Sequence, residues 1–497
     1  MDSLLAAIDL GSNSFRLSIG RVVHLDGAAQ IYSIDRLKEH VRLAAGLGRS
    51  NILDEAAIQR AIESLQRFSE RIEGFHPNRV RAVATNTLRI ASNALEVLPR
   101  LEEALGFPIE IISGQEEARL IFTGVTHELP PSPDRRLMID IGGGSTEVII
   151  GQEFRPLHMS SLAMGCVSYT RRFFPDGRIT AERMRKAVMA ARREIETIAR
   201  PYKQTGWEQA YGSSGTAKGL IAVLAETGLS TKGITREGLE GLRDKLVRDG
   251  RVDMDTLPGL KPDRAVVLAG GLAIMLAAFQ ELKIDLMRAG DGALRVGVLY
   301  DLLGRDSKHD KREETVKQFM HRYQLDALQA QRVEAIAIAL FEQLGLPDDN
   351  EKQELARTIS WVAKLHEVGI SISYSNYDKH TAYVLGNADM PGFSTHEQAL
   401  MSAFALGHLG KLPKHLPENT RGHWLALFCL RLAVLLCRRR EDMTELPLRL
   451  SVNDKHVSIH ASESWLQSRP LTAYSLESER TEWKKAGFHI KVEVQPV

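Results

Sequence analysis

The sequence predicts an α/β fold made of two related halves, followed by a helical segment and a small α+β tail. Three observations carry this reading. An apolar strand ending in Asp, a polar Gly/Ser turn and a second strand occur in residues 4–23, and the same arrangement returns in residues 136–150. Between and after these openings, apolar runs of strand length alternate with helical 3.6-residue patterns. Beyond residue 313 the pattern becomes mainly helical, and period-two alternation returns near the end of the chain.

The chain of 497 residues carries 64 Lys+Arg against 63 Asp+Glu and is 43% apolar, which excludes a collagen-like chain and points to a folded one. At roughly 150 residues per domain, about three or four domains are expected. A net charge of +1 argues against a polybasic nucleic-acid binder, so no specific nucleic-acid partner is expected. Cys166, Cys429 and Cys437 show no CxxC spacing, so neither a disulfide scaffold nor a thiolate zinc site is implied and a reducing compartment fits. The first eleven residues lack a positive n-region and carry Asp9 inside the apolar run, which reads as a strand and not as a signal peptide. The longest apolar stretch, residues 265–279, falls short of the 18 residues of a membrane span.

Taken in order, the first half opens with strand 4–8, the loop DLGSNS (residues 9–14) and a return strand, 15–23. A helix over 58–72, a strand over 80–84, a helix over 94–105 and a strand over 109–113 follow. The second half opens with strand 137–139, the loop DIGGGST (140–146) and another β-branched run. It continues through a helical region, 181–198, the glycine turn YGSSGT (211–216) and the apolar stretch 266–279. Helices are expected at 331–344, 355–366 and 424–437, then strands at 448–452, 457–461 and 488–494. The boundaries are set at 1–125 and 126–305 for the two αβ domains, 313–440 for the helical domain and 441–497 for the α+β domain. Residues 306–314, DSKHDKREE, are the hinge candidate because their charge suits solvent.

Gly-rich turns between strands bring backbone N–H groups close to anionic oxygens, so both loops read as phosphate cradles. Asp9 and Asp140, which begin them, have the hard oxygen donors that Mg²⁺ prefers. Ordinary turns with locally bonded Asp are the alternative. In ISGQEEARL (residues 112–120), Ser113 or Gly114 precedes a helix and Glu116 or Glu117 enters its first turn. A Glu placed there either activates water as a general base or simply supports the helix start. In ATNTLR (84–89) the Thr hydroxyls and Arg89 suit phosphate oxygens, with a surface salt bridge as the alternative for Arg89. The third glycine turn, with Gly215, either contacts phosphate or shapes the cleft by packing; it is not a GxSxG nucleophile elbow.

The segments AIDLGSNSFRLSIG, ATNTLRIASN, IISGQEEARLIFTGV, IDIGGGSTEVIIG, YGSSGT, DGALRVGVLY and LHEVGISISYSNYDKHTAYVLGNADMPGF occur in this order. They resemble the exopolyphosphatase and guanosine-pentaphosphate phosphohydrolase family in its long form, leaning toward exopolyphosphatase through Gly144. The resemblance implies two actin-like (ribonuclease H-like) domains around a phosphate-processing cleft, with further C-terminal domains. It implies Glu117 as catalytic base and Asp140 and Glu147 as the acidic groups supporting Mg²⁺. It also implies phosphate-loop roles for Asn13, Ser14, Gly142, Gly143, Gly144 and Ser145, with Arg89 and Gly215 nearby. The implied activity is stepwise removal of terminal phosphate from inorganic polyphosphate, retained between turnovers by a groove; the alternative is hydrolysis of guanosine pentaphosphate, or both. A homodimer, a cytoplasmic location and peripheral association with the inner face of the membrane complete the expectation.

The helical domain resembles a modified HD-domain fold, yet it has His366-Glu367 where His-Asp is usual and Gln329 where an upstream metal-binding His is expected. A second phosphohydrolase site is therefore not expected. His408, His415 and His423 with Lys411, Lys414 and Arg421 suggest a polyanion patch. The Leu-rich helix 424–437 buries its face either within its own domain or against another subunit. Two other function classes share the paired loops: an actin-like ATP-dependent kinase, which would transfer phosphate to an acceptor, and a non-enzymatic polyphosphate-binding scaffold, which would bind without turnover.

Overall fold

The computed structural model describes residues 4–25, 28–48, 50–290, 292–305, 310–443 and 445–495, and the chain divides into two compact units, residues 1–310 and 311–497. Of the hinge candidate, residues 306–309 lie outside the described residues, and Lys311 already opens a helix.

The first half of unit one runs β1 (Leu4–Leu10), β2 (Phe15–Leu25), β3 (Ala28–Glu39), α1 (Glu55–Ile72), β4 (Val80–Ala84), α2 (Asn86–Ile90), α3 (Ala94–Leu105), β5 (Ile109–Ile111) and α4 (Gly114–Glu128). The second half runs β6 (Arg135–Ile141), β7 (Thr146–Gln152), β8 (Arg155–Leu162), α5 (Cys166–Phe173), α6 (Ala181–Thr205), β9 (Gln209–Ser213) and α7 (Ser214–Glu226). It closes with β10 (Ile234–Thr235), α8 (Arg236–Asp249), α9 (Pro262–Ala265), α10 (Leu268–Leu282), β11 (Leu286–Ala289) and α11 (Leu294–Arg305). The first sheet has the order β3-β2-β1-β4-β5 and the second β10-β11-β9-β6-β7-β8. Each contains an antiparallel hairpin, β1/β2 or β6/β7, with a third antiparallel strand on one side and a parallel strand, β4 or β9, on the other. These are two mixed sheets resembling actin-like domains.

Strand alternation decides which side chains meet in the middle. On β1, Ala6, Ile8 and Leu10 pack outward with α1 and α3, whereas Leu5 and Ala7 pack inward with residues of α4 and α11. On β6 and β7, Leu137, Ile139, Val148 and Ile150 face the outer helices, whereas Met138 and Ile149 join the inward core. Period two then turns Asp9, Asp140 and Glu147 toward that same inner layer. Ser113 starts α4 as its N-cap, its hydroxyl accepting from the Glu116 N–H at 3.1 Å, which fixes Glu116 and Glu117 in the first turn. Of the apolar stretch 266–279, residues 268–279 are the buried part of α10, whereas Val266 precedes the helix and is exposed. β3, β8, α5, α7, α8 and α11 have no counterpart among the sequence-predicted elements, and the expected glycine turn 211–216 is the end of β9 running straight into α7.

Unit two contains α12 (Lys311–Arg322), α13 (Ala327–Glu342), α14 (Asn350–Leu365), α15 (Tyr377–Asn387), α16 (Thr395–Gly407) and α17 (Arg421–Leu436). A three-stranded sheet follows, β12 (Leu448–Asn453), β13 (His456–Ser462) and β14 (His489–Gln495), with α18 (Glu463–Ser468) and α19 (Pro470–Lys485) between its last two strands. One apolar core runs from Val316 through α17 to Ile490, joining the helices to the terminal sheet. The Leu-rich helix α17 is buried on all sides inside this unit, so its face completes an intramolecular core. His408 and His423 are buried as well, His408 with Nδ1 against the Ala405 carbonyl and His423 beside Thr420 and Glu418. The expected polyanion patch loses both. Among the described residues, no helix is long and apolar enough to cross a membrane.

Candidate active site

The two acidic turns come from opposite halves yet line one cleft. Asp9, Gly11, Ser12, Asn13 and Ser14 contribute from the first; Asp140, Gly142, Gly143 and Ser145 contribute from the second. Glu117 enters from α4 and Gly215 from the start of α7. The turns touch directly: a Cβ added to Gly143 would stand 2.8 Å from the Ser12 Cβ. Gly144 packs against Asn86, whose Oδ1 would be only 2.1 Å from an added Cβ. A side chain at Gly144 would thus displace Asn86, itself a lining residue of the cleft.

The carbonyls of the turns are held from outside. Ser12 and Asn13 carbonyls accept from Ala44 and Arg42 N–H groups at 2.9 Å, while Gly142 and Gly143 carbonyls accept from Cys166 and Val167 at 2.9 and 3.0 Å. Among the described residues, the N–H groups of Ser12, Asn13, Gly143 and Gly144 donate to no protein acceptor. Such a set of fixed turns with uncommitted donors suits an anion.

Four carboxylates stand in this region. Asp140 accepts from the Ser213 hydroxyl at 2.6 Å and Glu147 from Ser161 at 2.8 Å. Glu117 receives Arg89 Nη1 at 3.3 Å, and the same nitrogen donates to the Ile112 carbonyl at 2.8 Å. Burial pushes the Glu117 carboxyl up to about 7 against the pull of Arg89, with Asp9 and Asp140 adding to the rise. Burial likewise raises Asp9, opposed by Arg16 and Arg295, and raises Asp140, opposed by the Ser213 and Ser214 hydroxyls. Glu147 lies well above the ordinary range through burial and the nearby Glu117 and Asp140. Asp140 and Glu147 sit directly opposite each other across the β6/β7 ladder, where like charges repel.

Among the described residues, no group of three or more His, Cys, Asp or Glu stands poised as a metal site. The donor chemistry nevertheless fits Mg²⁺: hard carboxylate oxygens with raised pKa values, beside turns suited to phosphate. Asp140 and Glu147 are the residues that would hold it.

Of the predicted residues, Asn13, Ser14, Glu117, Asp140, Gly142, Gly143, Ser145 and Gly215 share the cleft. Arg89 sits behind Glu117 as its partner, and Glu147 is buried behind Asp140. Sequence reasoning missed Arg16 and Arg264, which also line the cleft. Arg16 lies opposite Asp9 in the β1/β2 register, a pairing readable from the tight turn. Arg264 lies over Gly215, where an added Cβ would meet its guanidinium at 2.1 Å; about fifty residues separate them, and no local signal links the two.

The actin-like pair of domains, with two glycine turns meeting beside a buried carboxylate, is an arrangement that the comparisons with known proteins place in a family. Residues 22–306 match the Ppx/GppA phosphatase family and residues 311–480 match Ppx/GppA phosphatase domain III. The chain is 37% identical over 494 residues to a guanosine-5'-triphosphate,3'-diphosphate pyrophosphatase of Pseudoalteromonas translucida, covering 99% of this chain and 98% of that one. The crystal structure of the Aquifex aeolicus family member is 26% identical with a TM-score of 0.51, covering 61% of this chain and 99% of that one. An exopolyphosphatase from Cytophaga hutchinsonii shares the fold at 24% identity and a TM-score of 0.54, covering 60% of this chain and 97% of that one. The chain belongs to the Ppx/GppA phosphatase family, in its long form.

Proposed function

We propose that this chain is a phosphohydrolase that removes the terminal 5'-phosphate of guanosine 5'-triphosphate,3'-diphosphate, with inorganic polyphosphate as a second substrate. The observation that carries the chemistry is the single cleft lined by both acidic turns and Glu117. The choice of substrate rests on the full-length likeness to the Pseudoalteromonas relative, which favours the pentaphosphate reading over the polyphosphate one.

In this mechanism the terminal phosphate rests on the uncommitted N–H groups of the two turns, with Arg16 and Arg264 near its oxygens. Glu117, with a carboxyl raised to about 7, takes a proton from water as the water oxygen bonds to phosphorus. The bond from phosphorus to the bridging oxygen breaks, that oxygen leaves on the shortened chain, and orthophosphate is released. Arg89 holds the Glu117 carboxylate in place. Bound Mg²⁺, held by Asp140 and Glu147, would supply charge neutralisation for the phosphoryl oxygens.

The deciding experiment compares phosphate release from guanosine 5'-triphosphate,3'-diphosphate and from polyphosphate by the same enzyme with Mg²⁺. A higher kcat/KM on the guanosine substrate supports the proposal, and a higher value on polyphosphate transfers the assignment to exopolyphosphatase. Binding without release of phosphate from either overturns the phosphohydrolase reading. We also propose a homodimer, which light scattering across protein concentration checks by the mass it returns.

A further inference from the structure

Behind the cleft, six charged side chains from four elements form a buried lattice. Arg119 of α4 grips Glu116 of the same helix with two bonds of 2.7 Å. It also donates to Asp301 of α11. Asp301 accepts from Arg81 of β4 at 2.7 Å and from Arg305 at 3.3 Å. Glu110 of β5 closes the lattice, accepting from Arg81 at 2.8 Å and Arg305 at 3.2 Å. Three acids balance three arginines, and the Arg81 and Glu116 side chains are 1% and 0% exposed. Burial opposes ionisation of Asp301, and Arg119, Arg81 and Arg305 overcome it, holding its carboxyl well below the usual range.

The lattice stands at one end of a seam where α4 and α11 touch backbone to backbone. A Cβ on Gly297 would lie 1.8 Å from the Leu120 carbonyl oxygen, and one on Gly124 would lie 2.3 Å from the Ala293 carbonyl oxygen. The pairings 124 with 293, 120 with 297, and 119 with 301 make the two helices antiparallel. A glycine seam allows close approach, and directional charge pairs at one end fix the register. Both helices deliver residues to the cleft, Glu117 and Ile121 from α4 and Leu294 from α11, with Ala293 just before it. Glu116 and Glu117 are consecutive on a helix, so their side chains diverge by about 100°. One is gripped by the lattice while the other faces the cleft.

We propose that this lattice positions the catalytic base: Asp301, which does not line the cleft, locks α4 against α11 and thereby sets where the Glu117 carboxylate stands relative to the attacking water. Asp301 is a positioning residue for the reaction, and Arg119 is the arm through which it acts. The inference rests on the reading of Glu117 as base. A displacement of about 1 Å at reacting atoms lowers rate on the order of 10²-fold, whereas substrate held mainly by the turns is bound much as before.

The test measures kcat and KM on guanosine 5'-triphosphate,3'-diphosphate with Mg²⁺ for wild type, Asp301→Asn, Asp301→Glu, Arg119→Lys and Glu117→Gln, with circular dichroism and melting for each. Asp301→Asn is expected to lose about 10- to 100-fold in kcat with KM within about threefold, and Asp301→Glu, which keeps the carboxylate, to recover most of the loss. If Asp301→Asn does not fold, Arg119→Lys, which keeps the charge but loses the fork, carries the same expectation. A folded variant with unchanged kcat, an effect confined to KM or melting temperature, or unfolding of both variants overturns the proposal and leaves the lattice a purely structural role. Glu117→Gln separates the two levels. Near-normal turnover there removes the reading beneath, whereas an inactive Glu117→Gln beside a normal Asp301→Asn removes only the lattice proposal.

Discussion

The two acidic turns occupy equivalent places in equivalent sheets, yet their opposing residues differ in sign. Across β1/β2, Asp9 faces Arg16; across β6/β7, Asp140 faces Glu147. In the first pair Arg16 only partly offsets the burial that raises the Asp9 carboxyl, and it keeps a guanidinium at the cleft wall, a setting for an anionic oxygen. The second sets two carboxyls together in a buried place: burial raises both, and Glu117 and Asp140 raise Glu147 further, a setting that a divalent cation relieves. The two halves thus repeat one arrangement but differ in sign at a single register position, and the proposed division of labour between the turns rests on that difference.

This contrast makes predictions that break or sharpen it. Glu147→Gln should lower phosphate release on the order of 10²-fold at limiting Mg²⁺ and shift the Mg²⁺ requirement upward, as measured by metal titration of the rate. Arg16→Gln should act on the other partner, raising KM about tenfold, equivalent to about 1.4 kcal/mol, without changing the Mg²⁺ requirement. If both variants shift the metal requirement equally, the two turns do not divide the labour.

A third prediction concerns pH. The folded Glu117 carboxyl titrates at about 7 against an ordinary value of 4.5, so between those limits the folded protein keeps a proton that the unfolded chain has lost. Stability from this group is present below 4.5 and falls as pH rises through about 7. Mg²⁺ should therefore raise Tm more at pH 8 than at pH 5, where protonation already removes the buried charge. Equal increments at both pH values would contradict the charge account. The smallest effect is expected from Gly144→Ala, which forces Asn86 to turn aside. Rates on guanosine and polyphosphate substrates should drop by a similar modest factor, leaving their ratio unchanged.

Much of the fold was legible because local signals agree with it. The strand, glycine turn and return strand occur twice, and the alternation of apolar residues places Asp9 and Asp140 inward. The cap at Ser113 marks the helix that carries Glu117. What escaped detection depends on distant pairing. The contact of Ser12 with Gly143, the seat of Gly144 against Asn86, and the cover of Arg264 over Gly215 all join segments that the sequence keeps far apart. The lattice from Arg81 to Asp301 spans 220 positions, and apart from Glu116, which reads as an acid of a helix start, its members carry no local signal of it. The same limit explains His408 and His423, which look like surface histidines until α16 and α17 are packed into one core.

The central claim is that both turns serve one cleft in which Glu117 activates water. Its most direct test is the Glu117→Gln enzyme with guanosine 5'-triphosphate,3'-diphosphate and Mg²⁺, measured for binding and for phosphate release in the same preparation. The account predicts near-normal affinity with turnover reduced about 10²- to 10⁴-fold; a folded variant that binds and still turns over at close to the wild-type rate would contradict it.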